Sequence, residues 1–186
     1  MSPFTIVLLT LVLVVMLFIL VFAAVLLTPF ALPLLAFGAP FIPSAGKTVE
    51  RMLDAAGVGP TTRLLDLGSG DGRIPVAAAK RGARADGVEV NPWLVWVSRR
   101  RAQWFGVREH TMFKCGNLWT YDVAAYDVVT VYGLGPIMGK LEQKLLRELK
   151  PGTRVVSHAF HFPNWRPERE DRGVVLYVVP ERSAAA

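Results

Sequence analysis

Hydrophobic and polar positions divide the chain sharply at Lys47. From Phe4 to Leu27 nothing is more polar than Thr5 and Thr10. A helix over this run rises roughly 36 Å at about 1.5 Å per residue, enough to cross the ~30 Å hydrocarbon core of a bilayer with some tilt. A signal peptide would need basic residues ahead of a shorter apolar run of about 7–15 residues, and this run has neither feature. The pattern predicts a transmembrane anchor over residues 1–28. Residues 29–46 form an apolar linker carrying Pro29, Pro33, Pro40 and Pro43. These prolines are expected to prevent one continuous helix, since each lacks an N–H and crowds the preceding turn.

Beyond Lys47, apolar runs alternate with helical periodicity, which marks residues 47–182 as one small domain. Val49, Met52 and Leu53 predict a helix over Thr48–Ala56, stopped by Gly57. Strands are predicted at Arg63–Gly68, Ala85–Val90, Thr111–Gly116, Tyr126–Gly133, Thr153–Phe160 and Gly173–Val179. Between them, Ile74–Arg81 reads as a helix, and Asn91-Pro92 supplies an N-cap and a proline at the first position of another, ending near Phe105. Pro136 opens a further helix with Met138, Leu141, Leu145 and Leu149 on one face, and Lys140–Lys150 is expected to carry its solvated outer face. Apolar strands alternating with helices imply an α/β fold with a mostly parallel sheet covered on both faces. The last strand follows no helical crossover and is expected to run antiparallel.

Charge alters this picture in one respect. All 21 basic and 15 acidic residues follow Gly46, and the net charge is +6. With Lys47 and Arg51 after the span and no basic residue before it, the domain is expected on the cytoplasmic side. A mitochondrial inner membrane with the domain facing the matrix is the alternative; the absence of an Arg-rich presequence favours a prokaryotic plasma membrane. A single cysteine, Cys115, argues against a disulfide-stabilised secreted domain and reads as a buried structural thiol. His110 and His161 are isolated in sequence and one cysteine makes no metal cluster, so no metal is expected. Trp93, Trp96, Trp104 and Arg99-Arg100-Arg101 share one helix. It reads as a helix with an apolar face on the sheet and a solvated basic face rather than as a nucleic-acid reader, and the arginines could also meet anionic headgroups.

The chemistry centres on Asp66-Leu67-Gly68-Ser69-Gly70-Asp71-Gly72-Arg73, a strand running into three glycines at alternate positions and then a helix. Such a turn brings backbone N–H groups against a nucleotide-like ligand. It does not match the dinucleotide fingerprint Gly-x-Gly-x-x-Gly, and the chain has no Gly-Lys-Ser/Thr phosphate loop. Glu89 ends the second strand, 19 residues beyond Gly70, where a carboxylate accepts hydrogen bonds from ribose hydroxyls.

Asp66–Arg73 followed by Glu89-Val90-Asn91-Pro92-Trp93 resembles class I S-adenosylmethionine-dependent methyltransferases, which have a Rossmann-like fold. More narrowly, the chain is similar to the membrane-anchored lysine methyltransferases of the adenine nucleotide translocase and the ATP synthase c subunit, with their prokaryotic relatives. The blocks carrying this likeness are Pro40–Ser44, Asp66–Ile74, Glu89–Trp96, Asn117-Leu118-Trp119, Leu141–Leu145 and Phe160–Pro167. The resemblance implies that Asp66, Gly68, Ser69, Gly70 and Asp71 surround the methionine part of the cofactor and that Glu89 holds its ribose. It places Asn91 and Pro92 beside the adenine and counts Val90, Leu118 and Tyr132 among the cofactor-binding residues. Asn117 stands where the family commonly has an Asp, a departure that a carbonyl acceptor can offset. Ser44, beside Pro43, would close over the cofactor.

Tyr132 and Gly133, with His158 and Trp165, are the candidate lining of an acceptor channel. The implied reaction is methyl transfer to a lysine of a membrane protein, with no obligatory base. The partners expected are the bilayer and that membrane-protein substrate, not nucleic acid. A lipid headgroup or small amphiphile as acceptor, and a non-catalytic membrane scaffold, are the alternatives.

Overall fold

The computed structural model describes residues 2–37, 46–132 and 135–181, and the chain divides into two compact units at Phe41/Ile42. The first unit contains helix α1, Pro3–Phe37. It continues through Pro29 and Pro33, so the expected break after residue 28 does not occur. An apolar segment offers its backbone no better partner than the helix itself, and in hydrocarbon an unwound stretch leaves every peptide group unsatisfied. Two missing N–H groups are the smaller cost. Residues Pro3–Leu26 are long and apolar enough to cross a membrane. Pro40, Pro43 and Ser44 lie outside the described residues.

The second unit is a seven-stranded sheet with helices on both faces. Its elements are α2 (Gly46–Ala55), β1 (Arg63–Leu67), α3 (Arg73–Lys80), β2 (Arg84–Glu89), α4 (Pro92–Trp104), β3 (Thr111–Cys115), β4 (Val128–Val131), α5 (Gly135–Glu148), β5 (Arg154–His158), β6 (Arg169–Asp171) and β7 (Val174–Val178). The strand order is β3-β2-β1-β4-β5-β7-β6, parallel from β3 to β5, with β7 and β6 antiparallel. The antiparallel last strand is as expected. The β6 strand was not: three charged residues give no apolar alternation, and it pairs only because the turn at Arg172-Gly173 folds it onto β7.

The pleat sorts each strand between two cores. Leu65, Leu67, Val129, Val131, Val155, Val175 and Tyr177 meet Met138, Leu141, Leu145 and Leu149 of α5, which explains that helix's apolar stripe. On the opposite face Leu64, Val128, Val156 and Val174 meet Val49, Met52 and Leu53 of α2 and Ile74 and Ala78 of α3. Asp66 and Thr130 lie two residues along from Leu64 and Val128, so they share the α2/α3 face.

Three expectations about polar surfaces are corrected. Cys115 is exposed, since it lies on the edge strand β3. The outer face of α5 is not wholly solvated: Glu142 and Lys144 are buried. Glu142 accepts from the Asn164 N–H at 3.0 Å, while Lys144 donates to the Tyr121 carbonyl at 2.8 Å and pairs with Glu148. The side chains thus anchor loops that cross the helix. On α4 the buried stripe is Val95, Ser98 and Ala102, whereas Trp93, Trp96 and Trp104 point outward.

Gly72 shows how tightly the first turn is packed. Its φ is +75°, and a Cβ there would lie 2.7 Å from Ser98 Cβ and 2.9 Å from Phe113 Cε1. Gly72→Ala therefore combines left-handed strain with overpacking and should destabilise the fold by about 2–4 kcal/mol. Chemical denaturation read by tryptophan emission measures it; an unchanged midpoint would contradict this packing.

Candidate active site

Strand order reverses between β1 and β4, where the following connections leave in opposite directions and open a crevice at the strands' carboxyl ends. Ligands of open α/β sheets bind at such switch points. The first glycine turn lies on one side of it. Gly68 and Ser69 donate their N–H groups to the Val88 carbonyl at 2.9 and 3.0 Å, and the Gly72 N–H closes the turn on the Ser69 carbonyl. A Cβ at Gly68 would meet nothing, so the backbone there borders open space. Gly87 is the reverse case: a Cβ would fall 2.6 Å from Ser69 Oγ. That hydroxyl is buried and has no hydrogen-bond partner among the described residues.

Glu89 joins two turns. One carboxylate oxygen accepts from the Gly70 N–H at 3.0 Å and the other from the Asn91 N–H at 2.9 Å. Each oxygen retains acceptor capacity for a further donor. Asn91 caps α4, accepting from the Trp93 N–H at 3.0 Å, as Asn-Pro predicts. Val90 lies between them in the same turn. Asn117 is exposed and accepts from the Trp119 N–H at 3.0 Å, which holds Leu118 against the core beside the Glu89 end of β2.

Asp66 is buried, and Thr130 Oγ1 donates to it at 2.8 Å. Burial pushes its pKa up to about 7; the Thr130 bond opposes this, and the charges of Glu89 and Asp71 add to it. Asp71 differs from its neighbours, because its carboxylate is held by Arg73 (2.7 Å) and Arg101 (2.6 Å). Burial raises its pKa, but the Arg73 hydrogen bond and both guanidinium charges outweigh that and hold it below the ordinary range. Arg101 also donates to the Asp71 carbonyl at 2.9 Å, and Ser98 Oγ to the Gly70 carbonyl at 2.9 Å.

Thr130, Ser98 and Arg101 were therefore missed as supports of this turn. Two of the three carried a signal, being the single polar residue of an apolar strand and of a buried helix stripe. Arg101 was hidden in an arginine run whose members do different work: Arg99 donates to the Phe113 carbonyl at 2.7 Å.

Across the crevice, Tyr132 follows β4 and His158 ends β5, with ring centroids 4.9 Å apart. Phe160 lies 6.3 Å from Tyr132. His158 Nδ1 is buried without a hydrogen-bond partner among the described residues. Burial first, and the Arg51 charge second, lower its pKa, which keeps the ring neutral at pH 7. Trp165 does not join this group. It is a core residue packed 5.3 Å from Tyr177 and 5.4 Å from Phe162, with its indole N–H spent on the Val178 carbonyl at 3.2 Å. Gly133 and Ser44 lie outside the described residues.

Comparison with known proteins gives a consistent picture. The model of the ANTKMT methyltransferase domain matches residues 66–169. A Mus musculus lysine N-methyltransferase of the ATP synthase c subunit is 46% identical, with the match covering 76% of this chain and 57% of that protein. A protein-lysine N-methyltransferase of Saccharolobus islandicus is 38% identical, covering 76% of this chain and 94% of its own. Among solved structures, an RNA methyltransferase from Salinibacter ruber in complex with S-adenosyl-L-homocysteine superposes with a TM-score of 0.72. It is 40% identical and covers 76% of this chain and 96% of that one. The chain spans 57–65% of the length of the vertebrate methyltransferases of the ATP synthase c subunit that it matches. The expected class I methyltransferase fold is thus the one observed.

Because the folded state holds the Asp66 proton more tightly than the unfolded chain does, this carboxyl's contribution to stability is full below about pH 4 and is lost as pH rises to about 7. The difference amounts to as much as about 4 kcal/mol. Asp66→Asn should raise the melting temperature at pH 8 and change it little at pH 4. Equal shifts at both pH values would contradict a buried, strained carboxylate.

Proposed function

The chain belongs to the ANTKMT methyltransferase domain family, and we propose that it is a membrane-anchored protein-lysine N-methyltransferase that uses S-adenosylmethionine. The observation that carries this reading is the crevice itself. It joins an open-faced glycine turn, a strand-end carboxylate with spare acceptor capacity and a buried acidic group on one side to an aromatic–imidazole pair on the other.

The residues present fit the cofactor. Asp66 offers a carboxylate to its amino group, Glu89 accepts from its ribose hydroxyls, and Asn91 and Pro92 flank its adenine, with Val90 and Leu118 as further contacts. Asn117 supplies a carbonyl acceptor in place of a carboxylate. Gly68 leaves the backbone clear for close approach, and the Ser69 hydroxyl has no partner among the described residues. Asp71 acts one step back by fixing this turn to α3 and α4. Ser44 remains part of the proposed closure of the site. When bound, S-adenosylmethionine supplies an electrophilic methyl group on a sulfonium.

The chain's own task is to present a neutral amine in line with that group. A lysine is protonated near pKa 10.4 in water. Beside the neutral His158, the Arg51 charge and aromatic walls, its charged form is disfavoured, so the proton passes more readily to water. Tyr132 and Phe160 also present π faces that suit a methylated ammonium. Neither His158 nor Tyr132 is needed as a dedicated base. Helix α1 is the proposed anchor, with the domain on the cytoplasmic side. Confining enzyme and substrate to one surface raises their effective concentration without new contacts.

RNA is the competing acceptor, favoured by the described function of the Salinibacter ruber protein and by the basic charge of this chain. Incubation with methyl-labelled S-adenosylmethionine and host membranes, followed by separation of protein, lipid and RNA, distinguishes the acceptors. Label is expected in protein and at lysine; label in RNA or lipid alone overturns the reading. Glu89→Ala should weaken S-adenosylhomocysteine binding by about 10–100-fold, since it removes charged hydrogen bonds and loosens two turns. Tyr132→Ala should lower kcat by at least about tenfold with little effect on that binding. Calorimetry and single-turnover labelling separate the two.

A further inference from the structure

Helix α4 departs from the usual rule for a surface helix. Its outward stripe, at positions 93, 96, 100 and 104, is Trp-Trp-Arg-Trp, while its inward stripe is small and partly polar. Trp93 is 54%, Trp96 47% and Trp104 87% exposed. Phe105 and Met112 extend the apolar surface beyond the helix end and onto β3. A groove of about 370 Å³ between α4 and β3 is lined by Trp96, Arg99, Arg100, Arg108 and Met112. Lys80 adds positive charge nearby, with Glu109 the acidic residue of the following turn. Exposed tryptophans mixed with arginines on one flank have no role in the active site described above.

We propose that this flank is a docking surface for an anionic bilayer, with the tryptophans and Phe105 entering the headgroup region and Arg99, Arg100 and Arg108 meeting lipid phosphates. Amphipathic rings beside basic groups suit the membrane–water interface. The groove is lined for an anionic headgroup, and its charge is complementary to one. A single-stranded nucleic acid fits less well, because stacking needs free ring faces. Trp93 and Trp96 stack on each other at 4.8 Å, Arg100 sits 5.4 Å above Trp96, and Lys80 covers Phe105 at 3.5 Å. Each of these three rings thus has at least one face covered, which suits insertion better than base stacking, while Trp104 stays open. Met112 has no stacking face at all.

The inference rests on the membrane-anchored reading for access to a bilayer, and one experiment separates the two. All five tryptophans lie at or beyond Trp93, so emission reports on the domain and never on α1. The full chain is placed in nanodiscs of phosphatidylcholine alone or mixed with phosphatidylglycerol, with or without bromine on the acyl chains. Retention of protein on the discs tests the anchor. Loss of tryptophan emission to brominated lipid tests docking.

The expected result is quenching in anionic discs that weakens in zwitterionic discs and at high salt. Paired Arg100→Gln and Arg108→Gln substitutions should shift the docked-to-undocked ratio by about fivefold per arginine. Trp104→Phe should remove much of the signal. Retention without quenching in any disc overturns the docking surface and leaves the anchor. Elution away from the discs overturns both. An emission change with single-stranded RNA, but none with brominated lipid, overturns the proposal in favour of nucleic acid.

Discussion

The site depends on one buried carboxylate holding two backbone turns. Glu89 ends β2 and accepts from the N–H of Gly70 in the turn after β1 and of Asn91 in the turn after its own strand. Charge-assisted bonds to backbone donors are the stronger kind, and burial makes their loss costly. Through them the ends of two adjacent strands, and the helices α3 and α4 that follow, share one reference point. Ser98 and Arg101 brace the same turn from α4, so the arrangement is closed from both sides.

Against that rigidity, Asp66 is a source of stored cost. Its carboxyl is buried beside Glu89 and within reach of the Asp71 charge, with Thr130 as its hydrogen-bond donor. A core built for stability alone would not put an acid there. The expense is comprehensible if a cationic group completes the set, since the same burial that penalises an isolated carboxylate strengthens its attraction to a partner.

Most of the fold was legible because local signals and the global pattern agree. Apolar runs gave the parallel strands, Asn91-Pro92 gave the start of α4, and the Leu141, Leu145, Leu149 stripe gave the face of α5. The candidate site was legible where spacing carries meaning, as with Gly70 and Glu89. It was less so where residue type alone had to decide orientation. Trp165 and the α4 tryptophans illustrate the difficulty: all four are bulky and aromatic, yet Trp165 fills the core while Trp93, Trp96 and Trp104 face outward. Helical periodicity does separate the two faces of α4, but ordinary hydrophobic ranking assigns them the wrong way round. Glu142 and Lys144 fail for the opposite reason, since charged residues are read as solvated until a crossing loop offers them a backbone partner.

The short strand β6 gives the sheet a particular outer margin. Arg169, Glu170 and Asp171 are all exposed and form a ladder only three residues long. A long, flat, apolar margin would be a template on which another copy could pair, whereas a brief one bearing charges of both signs is poorly suited to extension. For chains crowded on a two-dimensional surface this matters more than in dilute solution, because encounters between identical sheets become frequent. The strand thus acts as a selvedge, finishing the woven edge so that the domain stays a separate piece.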